Sequence, residues 1–556
     1  MSAKLACLVL FAVSLSAQQR PASPPVAQHY RIAGTVVNSL TGQPIPSASV
    51  AIAPTTQGME RDISKSFLTG PDGRFSFMGL TRGKYSLMAA ARGFSLQYFE
   101  HHDPYATAVA VGPDLDAEHL VFRLDPDASI GGQVTDENND PVQNAMVRLF
   151  QASTEGGEQQ TLPINQVQTD DQGNYRIGHL AAGKYYLAVS ARPWYAQSVR
   201  PLPRSGNADA DPQAAQDAAA LDVTYPLTFY PDSPDSAGAS PLMLSPGEKA
   251  TADVPLRAVP SLHLRIHTGG SGDNPVLGRM VFPRVSQRIF DGFLDSVTHA
   301  PVSWIAPGVI EISGLAPGHY VIEMPLPSGL AEKPNGEGWY REIDLVGDAE
   351  VSASDGPRFA AVGGSVVFDN VTRVPAEAAI QLSNPETGES FRSDISDKGE
   401  FDFQGDDVRP GHYIVALDNV NGFFLRQVTA TGAIVKGRTI DISGRTRVRI
   451  AAVASRGAAR VEGTAMHDGQ PFSGAMVVLV PQDPGNNLPL FRRDQSDSDG
   501  TFTLPNVVPG AYTVIALANG WDLEWANPSV LQPYLKQGET LQVPAQGKLQ
   551  IKVQVE

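Results

Sequence analysis

The sequence predicts an all-β chain of five tandem β-sandwich domains in a string, and three observations carry that prediction. A pattern that opens Gly-x-Val, passes a polar turn ending in glycine and closes on Gly-x-Tyr recurs along the chain. Clear copies open at Gly34, Gly132, Gly364 and Gly463, at intervals of 98, 232 and 99 residues. The unit is therefore about 100 residues, a usual size for a small sandwich, and the long interval has room for a further, worn copy. Finally, 52 Gly and 44 Pro among 556 residues are more than long helices tolerate, but they suit short strands joined by turns.

The second copy shows the elements in order. Ile130, Gly132 and Val134 alternate as a first strand, and Ala145, Val147 and Leu149 share one face of the next. Thr169-Asp170-Asp171-Gln172-Gly173 supplies a turn in which aspartate accepts backbone N–H bonds and glycine takes positive φ. The stretches from Asn174 and from Lys184 return as strands around a second turn, Leu180 to Gly183. The turn glycine and the repeat tyrosine are 12 residues apart in Gly73/Tyr85, Gly173/Tyr185 and Gly500/Tyr512, and 14 apart in Gly399/Tyr413. Apolar pairs Phe75/Phe77, Tyr175/Ile177, Phe401/Phe403 and Phe502/Leu504 follow the turn glycine and line one face of a strand. The worn copy runs from Leu262 through Ile266 to Gly318-His319-Tyr320. Expected domains are 28–127, 128–258 with a mobile insertion at 201–220, a degenerate domain 259–356, then 357–456 and 457–556. Linkers of a few residues, such as Asp125-Pro126-Asp127, predict a semi-rigid, extended row.

The run Gly-x-Val, Pro-Val-x-x-Ala-x-Val-x-Leu, Asp-x-x-Gly-x-Tyr-x-Ile and Gly-x-Tyr resembles the carboxypeptidase regulatory-like domain, strongly over the first half of modules one, two, four and five and weakly in three. That resemblance implies an immunoglobulin-like, transthyretin-like sandwich related to Cna B-type domains, together with export and occasional sugar binding. It does not imply peptidase activity, because the family is named for a domain that lies beside a catalytic one. Lys–Asn isopeptide crosslinks of Cna B-type relatives would need a lysine on the first strand, where this chain has Arg31, Gln133, Ser365 and Glu462.

Residues 1–17 read as a secretory signal, with Lys4 before an apolar stretch and small residues ahead of Gln18. Cys7, the single cysteine, lies inside it, so the expected mature chain has neither thiol nor disulfide. No later stretch is apolar enough to span a bilayer. The expected location is secreted, periplasmic or cell-surface. A net charge of −17 without a cluster of Lys and Arg argues against nucleic acid as a partner.

Nothing in the residues supports catalysis, and neither a cofactor nor a metal is expected. His319 and His412 stand where other copies have Lys84, Lys184 or Ala511, which fits exposed turn residues. His263 and His267 alternate with apolar residues on a strand, where four residues span ~13 Å, too far for one ion. This predicts a surface strand. His101 and His102, adjacent and flanked by Glu100 and Asp103, are the sharper metal candidates and the basis of a minor reading as a metal-dependent hydrolase. Asp494 to Gly500 reads as a hairpin turn, with weak calcium binding as the alternative. An aromatic follows each clear tyrosine strand, at Phe94, Trp194, Phe423 and Trp521, and recurrence favours packing. As ligand-binding candidates the sequence offers Trp521, Trp525, Trp194, Tyr195 and Trp339, rings near loop ends that could stack on sugars or apolar partners. Two function classes follow. One is a non-catalytic exported binding or adhesion scaffold for a polysaccharide or envelope protein; the other is a structural spacer of the bacterial envelope without a small ligand.

Overall fold

The computed structural model describes residues 29–55, 65–102, 104–196, 220–267, 282–290, 292–297, 300–324, 339–352, 359–403, 408–420, 422–444 and 447–556. The signal at 1–17, Asp103 and all of the insertion at 201–220 except Ala220 lie outside them.

Each copy of the repeat forms two facing sheets. Its first strand is paired antiparallel with the strand after the polar turn and parallel with the last strand of the module. In the first module, Tyr30–Asn38 lies between Arg74–Leu80 and Leu120–Leu124. In the fourth, Ala361–Phe368 lies between Glu400–Asp402 and Arg447–Arg456. The parallel partner explains the repeat glycine. A Cβ at Gly34, Gly132 or Gly364 would sit 2.3, 2.2 or 1.9 Å from the carbonyl oxygen of Leu120, Ala252 or Ile450, so no larger residue fits beneath the returning strand. An aromatic stands opposite each of these glycines: Phe75 against Gly34, Tyr175 against Gly132, Phe401 against Gly364 and Phe502 against Gly463. The ring fills the space that glycine leaves.

The worn third module solves the same packing problem with different residues. Ile266 takes the glycine position and faces Ile310 rather than an aromatic, and both are fully buried. Two medium side chains replace one large and one absent, so the pattern fades from the sequence while the sandwich remains as two four-stranded sheets. The tyrosine persists in all five copies for a reason separate from hydrophobicity. Tyr85, Tyr185, Tyr320, Tyr413 and Tyr512 donate their hydroxyls to the carbonyls of Thr81, Ala181, Ala316, Arg409 and Val508, each four residues earlier, at 2.7 to 3.0 Å. Each hydroxyl ties down the second turn. The interior residues form a separate core for each module.

The sandwiches follow one another in series, as the repeat predicts. An extended row does not result, because the fifth module lies against the first and second. Lys84 forms an ion pair with Asp497, Ser498 N–H donates to Ala108 O at 3.0 Å, and Ala526 N–H donates to Gly157 O at 2.9 Å. Short linkers limit separation but not direction, and these contacts turn the row back on itself. Successive modules are also joined by buried charge. Arg148 of module two pairs with Asp295 of module three, and Arg409 of module four holds Glu323 of module three at 2.6 Å.

His263 corrects the sequence expectation of a surface strand. It is 2% exposed, with Nε2 2.8 Å from Asp222 and Nδ1 3.5 Å from Glu311. The strand lies at the junction of modules two and three, so the side that alternation assigns to solvent is covered by the preceding module. His267, on the same strand, is exposed beside Glu350.

Candidate functional site

The five candidate aromatics do not converge on one site. Trp339 is corrected outright: it belongs to the strand Trp339–Leu345, is 4% exposed and lies in the core of module three. Its neighbour in space is Met324, opposite it across the ladder, so its ring fills the sandwich.

Trp521 and Trp525 lie half-buried over the outer side of the fifth module's tyrosine sheet, packed with Phe491 and Leu531 on Met476, Val478 and Ile515. They also meet two other modules. The Trp521 ring stacks on His102 of module one, centroids 4.5 Å apart and 5° from parallel, while Trp525 Nε1–H donates to Thr154 O of module two at 2.9 Å. The Arg493 guanidinium sits between Tyr105, Trp521 and Trp525 at 4.8, 5.5 and 4.6 Å from their centroids. Such contacts are worth ~0.5–2 kcal/mol each. The rings therefore line a three-module junction.

The turn beside them completes the junction. Asp497 Oδ1 accepts from Ala108 N–H at 2.9 Å, and Ser498 Oγ accepts from Ala110 N–H at 2.8 Å. Gln495 donates to Glu100 O and to Thr107 Oγ1, and its Oε1 lies 3.2 Å from His102 Nδ1. Burial holds the His102 imidazole below its ordinary value and pushes Asp497 up against the opposing influence of Lys84. Burial also lifts Asp494 to about 7. The turn is tight and polar, but it corrects the expectation of a hairpin: it carries the chain from strand Arg492–Gln495 of one sheet to strand Thr501–Val507 of the facing sheet, and its carboxylates also serve module one. Local spacing could not show that partner.

His319 and His412 lie at strand starts rather than in turns, with Nδ1 2.7 Å from Asp344 and 2.6 Å from Asp441 on the neighbouring strands. Among the described residues no group of three His, Cys, Asp or Glu could hold a metal ion.

Trp194 differs from the other rings. It is 87% exposed, although the equivalents Phe94, Phe423 and Trp521 pack against their modules. Recurrence therefore predicts packing correctly for three of these positions and not for Trp194. Its ring meets Tyr195 edge to face, centroids 5.7 Å apart and planes at 85°. The Tyr195 hydroxyl donates to Glu137 Oε1, and the Tyr225 hydroxyl donates to Glu137 Oε2 at 3.3 Å. The hydrogen bond to Glu137 pushes the Tyr195 hydroxyl up to about 12. Two tyrosines thus fix one exposed carboxylate beside an open indole face, a combination of flat apolar surface and hydrogen-bonding groups suited to a polar, ring-shaped ligand.

Comparison with known proteins bears on fold and family. The family model of the carboxypeptidase regulatory-like domain matches residues 31–118 and 129–215. The chain carries two repeats of that family. No curated protein matches the chain. Solved structures with some likeness include the TIE protein of Bacillus anthracis, 11% identical over 96% of this chain and 76% of that one, with a TM-score of 0.17. The minor pilin GBS52 of Streptococcus agalactiae is 12% identical over 41% of this chain and 97% of its own, TM-score 0.21. The shaft pilin SpaA of Lactobacillus rhamnosus GG is 8% identical over 42% and 98%, TM-score 0.20. At such scores the likeness is one of β-rich chains and extends no further.

Proposed function

We propose that this chain is an exported, non-catalytic binding scaffold that takes a polysaccharide or envelope component on the Trp194 and Tyr195 surface of module two. The exposure of Trp194 is the observation that carries this reading: a large indole is left in solvent at a position where the other clear copies pack theirs. Glu137, fixed by two tyrosine hydroxyls, supplies an acceptor for ligand hydroxyls at the edge of that ring. Support for a non-catalytic role comes from the histidines, the readiest general bases. His102, His263, His319 and His412 each lie against a neighbouring amide or carboxylate within the fold. Export rests on the amino-terminal sequence.

Retention on insoluble polysaccharides is the direct test. Full-length protein is expected to co-sediment with at least one neutral glycan, and Trp194→Ala is expected to lower retention at least about tenfold while leaving the thermal transition unchanged. Retention unaffected by Trp194→Ala would remove this surface from consideration. The alternative role, a spacer without a small ligand, predicts no retention on any glycan. Contacts between the first and fifth modules weigh against that role, because they shorten the span that a spacer would provide.

A further inference from the structure

Five copies of one sandwich let a single surface be followed through five settings. In each module the sheet containing the tyrosine strand has one side in the core and the other facing outward. In module two the outward side carries Phe150, Tyr186 and Ala188, and the corner Ile289–Phe290 of module three covers it. The Phe290 ring lies 5.1 Å from Phe150 and 5.0 Å from Tyr186. In module three the same side presents Glu323 to Arg409 of module four. In module five it carries Met476, Val478 and Ile515, beneath the chain's own segment from Trp521 to Leu531. In module four it is charged, with Arg392 paired to Asp394 and Asp418 in solvent.

Module one departs from all four. Its outward side carries Leu68, Met88, Leu96 and Tyr98, with Ala51 and Ala90 between them. Met88 stands opposite both Ala51 and Tyr98, the ladder position that Ala188 and Ile515 hold in the covered copies. Leu68, Leu96 and Tyr98 are 65%, 58% and 40% exposed. Among the outward positions of strands 49–54, 65–68, 83–91 and 94–98, Lys84 is the charged one, and it is engaged by Asp497.

We propose that this face of module one is a docking surface for a partner protein that presents an uncharged hairpin tip bearing an aromatic and an aliphatic residue. This is the chemistry that Ile289 and Phe290 bring to the equivalent face of module two. A charged partner would lose hydration here without gaining a counter-charge. The face also continues an interface already formed, since the strand that starts in the junction at Lys84 runs outward through Met88 to Ala90. Its size selects among occupants. Four strands ~4.8 Å apart and about four residues deep present roughly 250 Å², against the ~800 Å² each partner buries in a standard stable complex. That area accommodates a hairpin tip and is too small to hold a second copy of the chain by itself.

A fluorescein-labelled, backbone-cyclised peptide of residues 284–297 with its charges neutralised by Arg284→Gln, Arg288→Gln, Asp291→Asn and Asp295→Asn serves as the probe, titrated with the full chain and read by fluorescence anisotropy. Saturable binding is expected, weakened at least about tenfold by Leu96→Lys or Met88→Lys in the chain and by Phe290→Ala in the probe. Trp194→Ala should leave binding unchanged, which separates this surface from the ligand surface proposed above. Leu96 is exposed, so Leu96→Lys is expected to preserve the thermal transition, which establishes that the variant is folded. Absence of saturable binding, or equal binding by Leu96→Lys, would overturn the proposal. A concentration-dependent doubling of mass in light scattering that Leu96→Lys abolishes would overturn it too, by assigning the face to self-association.

Discussion

Asp170 and Asp497 hold the same place in two copies of one turn, three residues before the turn glycine, and do different work. The backbones agree: Gly173 N–H donates to Asp170 O and Gly500 N–H to Asp497 O, while Asp170 and Asp497 N–H reach Asn174 O and Thr501 O. The Asp170 carboxylate caps its own turn, accepting from Gln172 N–H at 2.9 Å and Asn174 N–H at 2.7 Å. The Asp497 carboxylate leaves its turn and takes Ala108 N–H and Lys84 of module one. It can do so because Asp499, two residues on, takes over the local role with Thr501 N–H at 3.1 Å. Each turn holds two aspartates, and placing the second directly before the glycine, where module two has Gln172, turns a structural turn into a docking element without altering its backbone.

The largest effect should come from reversing the charge that docks. Asp497→Lys places two cations together in a half-buried junction, at a cost of about 3 kcal/mol to the contact. Small-angle scattering should then show a longer maximum dimension, with partial return in the double variant Asp497→Lys with Lys84→Asp. An unchanged scattering profile would mean that the turn does not hold the ends together.

A smaller effect, in pH dependence, comes from Asp494. Its folded pKa of about 7 lies above its ordinary 3.8, so the folded state binds the extra proton between those values. Stability is therefore greatest below about pH 4 and falls as pH rises toward 7. Asp494→Asn should flatten that slope and raise the transition of module five at pH 8. A slope that survives the substitution would assign the proton elsewhere. Smallest is Asp170→Ala, which removes two local hydrogen bonds and should lower the module-two transition by about 1 kcal/mol with no change in dimensions. Any lengthening in that variant would blur the distinction between the two turns.

Legibility in the sequence follows the range of the force involved. The turn glycines and the tyrosines act within a few residues, and the spacing shows both. The strand glycines answer to a last strand 86 to 120 residues away, yet they too can be read, because repetition marks a constraint even when its cause is distant. Module three was harder to read, since Ile266 and Ile310 fill by shape what glycine and an aromatic fill elsewhere. Among the candidate rings, alternation gave no means of separating Trp339, which fills a core, from Trp194, which stands in solvent. Both sit near breaks in pattern, and burial depends on what arrives from elsewhere in the chain. The same holds for His263, covered by a neighbouring module.

The sequence by itself determined that this chain is a series of β-sandwiches, each closed by a polar turn and a tyrosine corner, because hydrophobic alternation, turn chemistry and backbone sterics act locally and repeat. Only the tertiary structure decided that the fifth module returns to the first and second, that Trp521 and Trp525 line that junction, and that Leu68, Leu96 and Tyr98 on one face of module one are exposed. Those outcomes depend on complementarity between distant surfaces, 413 residues apart at Lys84 and Asp497, which no periodicity records.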